Sequence, residues 1–261
     1  MSIDATMLRD PQVLIPRNKP RGPVEIDRIH PLSADLIGCY MYGYMGHHVY
    51  DLIDKKPLVY NESAGNHPID ENIRGGCLRA NNSGGTNGDT VNSTTYNPLK
   101  GRDGYISYML HMSGMQSTDQ YMMQWNQTVG QRYNELRLVS GTGFRVRWCD
   151  DSNFGYSVYT ISEYGEGEVV IVGTFSQPST HTVYYNGQLQ SGGTLSPDNW
   201  LSGAPFDDGD TTMRVGSSAD TFQGSGTFRN DMYSCALWGR VLEEAEIQSI
   251  SADPYQFLLP A

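Results

Sequence analysis

The chain has 261 residues, a formal net charge of −11 and a pI near 4.9, with 18 Lys and Arg against 29 Asp and Glu. That acidity repels nucleic-acid backbones and anionic lipid, so neither is expected as a partner unless a local basic patch overrides it. No run approaches the ~18 apolar residues that span a bilayer, and the opening MSIDATMLRDPQVLIP lacks the basic start and apolar core of a secretory leader.

Composition points to a many-turned β protein. Gly occurs 29 times, and Tyr, at 17, outnumbers Phe, at 7. Turns draw on Gly and Asn, and strand faces on aromatic and β-branched residues. Cys39, Cys77, Cys149 and Cys235 form no C-x-x-C pair and have no His at zinc-ligand spacing. Without a secretory leader they read as free thiols of a protein made in a cytosol.

Residues 1–31 stand apart. Pro11, Pro16, Pro20, Pro23 and Pro31 interrupt any helical or strand period, and each biases its neighbourhood toward extended backbone. The stretch is expected to be an extended arm, followed by one domain over 32–261. Five basic residues against four acidic ones make the arm about +1, leaving the remainder at −12. Arg17, Lys19 and Arg21 concentrate the positive charge. They are candidates for docking on an acidic partner surface, with a solvated linker as the alternative.

From Leu36 onward short strands and turns alternate. Phe144, Val146 and Trp148 alternate with Arg145, Arg147 and Cys149, and Phe154, Tyr156 and Val158 repeat the period. Period two means one buried and one wet face. Glu168–Phe175 (EVVIVGTF) is an apolar strand, and His181–Gln190 (HTVYYNGQLQ) a hairpin turning at Asn186-Gly187, a pair suited to a type I′ turn. Residues 211–216 and 227–238 read as further strands, and 81–95 as a polar loop. One helix is expected over Val241–Ser251, with Leu242, Ile247 and Ile250 on one side, early glutamates, and Asp253-Pro254 as the stop.

The order Val172-Gly173-Thr174-Phe175, Tyr185-Asn186-Gly187, Val215-Gly216, then Val241-Leu242 with Glu246-Ile247 resembles the concanavalin A-like, laminin-G-like sandwich superfamily. Glu243 stands where that family tends to place a capping Ser. Upstream, Pro20, Gly22, Pro23, Ile26, Asp27, His30, Pro31, Leu32 and Leu36, then Val49-Tyr50-Asp51-Leu52, resemble the opening of laminin-G-like proteins of tailed phages. Asp253–Phe257 resembles their ending. The resemblance implies an all-β fold: a two-sheet antiparallel jelly-roll sandwich with an extended N-terminal arm and one short C-terminal helix.

Candidate chemistry is sparse, and no catalytic residue is assigned. Superfamily glycosidases carry Glu-x-Asp-x-x-Glu on one strand, which supplies a close carboxylate pair. Here Glu25-Ile26-Asp27 lacks the second Glu and falls in the arm. There is no G-x-S-x-G and no H-E-x-x-H. His47-His48 would point to opposite faces of a strand. Asp207, Asp208 and Asp210 around Gly209 are calcium candidates, with Asp150-Asp151 weaker, and a solvated turn is the alternative. Tyr40, Tyr42 and Tyr44 share one strand face, and with Trp200 they are candidates for stacking on sugar rings. Core or interface packing is the favoured reading of the tyrosines, because Tyr suits half-buried surfaces.

The sequence reading that follows is a non-enzymatic phage virion protein made in the host cytoplasm. Its expected role is capsid decoration or cement, with the arm anchored on the major capsid protein or on other copies of the chain. The alternative is a glycan-binding adhesin of a tail or fibre, recognising a host surface glycan. A glycoside hydrolase is the remaining reading. No cofactor is expected apart from the calcium candidates.

Overall fold

The computed structural model describes residues 19–20, 22–44, 48–57, 59–61, 69–72, 75–78, 90–93, 98, 105–114, 120–128, 132–139, 143–149, 154–159, 166–176, 180–191, 213–215 and 231–261. The first half carries β1 (Val24–Ile26), β2 (Leu36–Tyr44), β3 (His48–Asp51), β4 (Lys56–Pro57), β5 (Val59–Asn61), β6 (Ile69–Asn72), β7 (Gly75–Leu78), β8 (Thr90–Ser93) and β9 (Ile106–Gly114). Then come β10 (Gln120–Thr128), β11 (Arg132–Val139), β12 (Gly143–Cys149), β13 (Phe154–Tyr159), β14 (Glu166–Ser176), β15 (Thr180–Tyr185), β16 (Gln188–Leu189), β17 (Met213–Val215) and β18 (Met232–Trp238). Helix α1 (Glu244–Ala252) and β19 (Leu258–Pro260) close the chain.

These strands form a two-sheet antiparallel sandwich. The larger sheet runs β16-β15-β14-β9-β18-β2-β3-β4, with the β6–β7 hairpin joined to β18 through β7. The smaller runs β13-β12-β11-β10-β17-β8-β5. Between them lie Tyr40, Tyr42, Tyr108, Leu110, Ile171 and Phe175 from the larger sheet, against Met123, Leu136, Phe144, Val146 and Tyr159 from the smaller. A side chain of that size contributes about 1.5–3 kcal/mol when fully buried.

The larger sheet is buried on its other face too. Met109, Val170, Val172, Ala236 and Trp238 pack there against Leu242, Ile247 and Ile250 of the helical segment, Phe257, and Val24 and Ile26 of β1. Double burial explains why EVVIVGTF reads as a continuous apolar run rather than an alternating one.

The N-terminal stretch differs from the expected unpacked arm at Lys19, which is buried, and again from residue 24 on. Val24 and Ile26 are buried, and β1 pairs antiparallel with β19, Val24 opposite Pro260. Pro23 accepts from the Ala261 amide at 2.9 Å. Pro260 fits in β19 because the ribbon lies off the main sheets, where a missing ladder donor is tolerated. His30 caps the 3-10 turn Pro31–Ser33, its Nδ1 accepting from the Leu32 amide at 3.2 Å, and Pro31 fits the first helical position. The Trp238 indole donates to Leu32 O at 2.6 Å, tying this turn to the sheet.

Asn186 and Gly187 take φ of 48° and 80°, the left-handed pair expected of a type I′ turn. Helix α1 begins three residues later than expected; Ile247, Ile250 and Ser251 are its buried side, and Leu242 is buried just ahead of it. Glu246 accepts from the Glu243 amide at 2.9 Å, so the turn is capped without a Ser.

Two local readings change. Within the expected polar loop 81–95, residues 90–93 are β8, paired with β17 and β5. In β13 the core-facing residue is Tyr159, opposite Phe144, whereas Val158 pairs with Arg145 on the other face. Alternation was legible there, but the choice of face came from the neighbour's register.

Candidate functional site

Three clusters of titratable side chains lie inside the sandwich. On β15, His181 sits against the ring of Phe175, with centroids 4.1 Å apart. Its Nδ1 lies 2.9 Å from Tyr159 Oη, and its Nε2 lies 3.3 Å from Tyr108 Oη. Tyr159 donates its proton to the His181 carbonyl. Nδ1 must therefore donate to Tyr159, and Nε2 accepts from Tyr108. Burial holds the imidazole well below the ordinary histidine pKa. The ring is a neutral bridge between the two sheets.

On β9, His111 is fully buried, its Nδ1 2.9 Å from Tyr255 Oη and its Nε2 3.7 Å from a Glu168 oxygen. Tyr255 is held well above the ordinary phenol pKa, chiefly by burial. Glu, His and Tyr in a row resemble a proton relay in chemistry, but with His111 at 0% and Tyr255 at 6% exposure no substrate atom reaches the imidazole.

On β3, Asp51 caps the β3–β4 turn. One oxygen accepts from the Ile53 amide at 2.8 Å and the Cys39 amide at 3.5 Å. Burial pushes its carboxyl up to about 6 against the lowering effect of those amides. Cys39 and Cys235 are buried free thiols, both raised by burial.

The sequence candidates distribute differently. Tyr40 and Tyr42 are fully buried between the sheets, so they are core residues and not a sugar platform. The Tyr44 side chain falls outside the described residues, as do Arg17, Arg21, His47, Asp150, Asp151, Trp200, Asp207, Asp208 and Asp210. Lys19 is buried, and its ammonium donates to the Tyr42 carbonyl, so its charge is engaged within the fold rather than offered to a partner. Glu25 lies exposed on β1, and Asp27 accepts from the Ile29 amide at 3.1 Å. These two carboxylates belong to the terminal ribbon, not to a cleft. Among the described residues no three His, Cys, Asp or Glu side chains gather into a metal site.

One sheet face remains. Among the described residues, neither apolar cluster extends to the outward face of the smaller sheet, where Arg137 and Arg145 are half-buried. Strand alternation puts Arg137 and Arg145 there, because Leu136, Phe144 and Val146 occupy the core side. The register aligns Tyr121, Arg137, Arg145 and Val158 in one row. A second row holds positions Asn92, Arg214, Gln124, Glu135, Arg147 and Tyr156. Sequence reasoning recognised Arg145 and Arg147 as a wet face but missed the rows, since their members lie far apart in the chain.

No protein-family model and no curated protein matches this sequence. Solved structures do match. The binding domain of Paraclostridial mosquitocidal protein 1 superposes with a TM-score of 0.58 at 12% identity, over 83% of this chain and 52% of that one. The receptor-binding domain of botulinum neurotoxin D gives 0.55 at 12%, over 83% and 52%. Trypanosoma rangeli sialidase, in complex with the inhibitor DANA, gives 0.56 at 13%, over 85% of this chain and 33% of the enzyme. The chain thus spans about half or a third of these proteins. The shared property is the fold, an antiparallel β-sandwich.

Proposed function

We propose that this chain is a non-catalytic recognition module that binds a surface glycan. The observation that carries this reading is the distribution of polar chemistry. Among the described residues, His181, Tyr108 and Tyr159, and likewise His111 and Tyr255, are buried and hydrogen-bonded to one another, while strand alternation turns Arg137 and Arg145 of the smaller sheet away from the core. A rigid scaffold whose described interior groups are shut away from substrate suits binding better than group transfer. Similarity to two domains named for binding supports it. The test is a glycan array probed with the full chain. Saturable binding to a defined glycan class is expected, and absence of saturable binding to every glycan overturns the reading.

A second reading places the module on a phage particle as a capsid decoration protein, held by its N-terminal residues on the major capsid protein or on other copies. It is favoured by the structural use of the phage-like opening: Ile26, His30, Pro31 and Leu32 all help close the sandwich. Any anchor then falls to residues 1–18. Deleting 1–18 is expected to leave a folded domain that no longer joins particles, and wild-type occupancy by the truncated protein would refute the anchor.

A further inference from the structure

We propose that Glu168, His111 and Tyr255 form a proton-loaded latch that fastens the C-terminal segment, and through it β1, most tightly in mildly acidic solution. This goes beyond glycan binding and does not depend on it. Two strand irregularities build the latch. The β18–β9 ladder slips between Met232 and Ser234, and the β14–β9 ladder slips between Glu166 and Val169. Bulges re-aim side chains. Here the two irregular strands deliver Tyr233 and Glu168 to His111 on the strand between them. Tyr255 closes edge-on over the imidazole from the C-terminal segment, with ring centroids 5.3 Å apart and its hydroxyl 2.9 Å from Nδ1. The described groups around His111 are thus Glu168 from β14, Tyr233 and Ser234 from β18, and Tyr255. Ser234 is hydrogen-bonded to Tyr255, and Cys39 of β2 lies close enough to act on the same phenol, with Asp51 of β3 behind it. None of these groups carries a positive charge that would compensate Glu168.

Burial decides the proton count. His111 is fully buried and the Glu168 side chain nearly so. In so dry a place a carboxylate beside a neutral imidazole is costly, and so is an imidazolium beside a protonated carboxyl. The pair, 3.7 Å apart from His111 Nε2 to Glu168 Oε1, is lowest in free energy with one proton, held either as an ion pair or as two neutral groups. Opened to water, the same two groups titrate near ~4.3 and ~6.5. Above ~6.5 the open segment has released a proton that the closed one keeps, so closure weakens as pH rises. Below ~4.3 the open segment holds two protons, and closure weakens again. The latch reaches the terminal ribbon through the backbone: the Leu258 amide donates to Tyr255 O, the Asp27 amide to Phe257 O and the Ala261 amide to Pro23 O, each at 2.9 Å. Opening at Tyr255 therefore loosens the pairing of β1 with β19.

The test is amide hydrogen exchange on the full chain, corrected at each pH for the intrinsic exchange rate, which reads local opening directly. Protection of the Asp27, Leu258 and Ala261 amides is expected to fall as pH rises above about 6.5, by up to about tenfold per pH unit. The Gln190 amide, bonded to Val183 O in the β15–β16 hairpin, should show no such slope. Glu168→Gln should flatten the slope at the three ribbon amides, and His111→Gln should move it to lower pH, toward the range of a lone buried carboxyl. Wild-type protection that stays constant or rises with pH overturns the proposal without any variant, so misfolding cannot shield it. An equal fall at Gln190 overturns it too, because the loss is then global. A slope kept unchanged in both variants overturns the assignment to this pair.

Discussion

Tyr108 and Gly173 face each other across β9 and β14, and a Cβ on Gly173 would sit 2.1 Å from the Tyr108 Cζ. The missing side chain lets the ring lie across the neighbouring strand and carry its hydroxyl to His181. Gly173→Ala must therefore push the ring out of a packed core. A loss of about 1–3 kcal/mol is expected, read as a lower urea midpoint. Gly22→Ala, with no atom within 4 Å of its Cβ, is the control and should leave the midpoint unchanged.

The His181 bridge makes stability depend on acid. Its folded pKa is depressed by burial, so the unfolded chain binds the proton first as pH falls below ~6.5. Stability contributed by the neutral ring is complete above that value and declines by up to about 1.4 kcal/mol per pH unit beneath it. His181→Gln removes this titration. The stability gap between wild type and variant should narrow between pH 7.5 and 5, and a constant gap would contradict the assignment.

Asp51 acts in the opposite sense. Its carboxyl titrates at about 6 in the folded chain rather than 3.8, so the folded state holds a proton that the unfolded state has released. Stability is lost as pH rises from about 4 to about 6. Asp51→Asn keeps an acceptor for the Ile53 amide without the buried charge. It should stabilise the protein at pH 7.5 by an amount on the order of 2 kcal/mol and give little at pH 4. Chemical denaturation at the two pH values measures the difference.

Arg240 joins three parts of the outer layer. Its two terminal nitrogens each lie 2.7 Å from a Glu246 oxygen, and its Nε donates to Ala34 O at 3.2 Å. The pair raises the guanidinium pKa and lowers that of the carboxyl. At roughly one-quarter exposure it is only partly screened. Arg240→Ala is expected to cost about 1–2 kcal/mol, and Arg240→Lys should recover little because an ammonium lacks the planar fork. Thermal melting of the two variants checks both.

Sequence by itself determined the features whose cause is local. Asn186-Gly187 specifies a type I′ turn through its own allowed dihedrals, the FRVRW alternation specifies a two-faced strand, and the spacing of Ile247 and Ile250 specifies which side of α1 is buried. Likewise composition and turns read as an all-β chain, and the family resemblance carried by the ordered strand, hairpin and helix motifs implied a sandwich. What tertiary structure alone decided is what depends on register between distant segments. Tyr40 and Tyr42 have the pattern of a binding platform, and only the smaller sheet opposite makes them core. Residues 22–31 look like a proline-rich arm until β1 finds β19 more than 200 positions away. Arg137 and Arg145 become cross-strand partners by strand pairing, and His181 acquires its tyrosines from β9 and β13. Periodicity states that a strand has two faces, but which face is covered, and by what, follows from free energy gained across the whole fold.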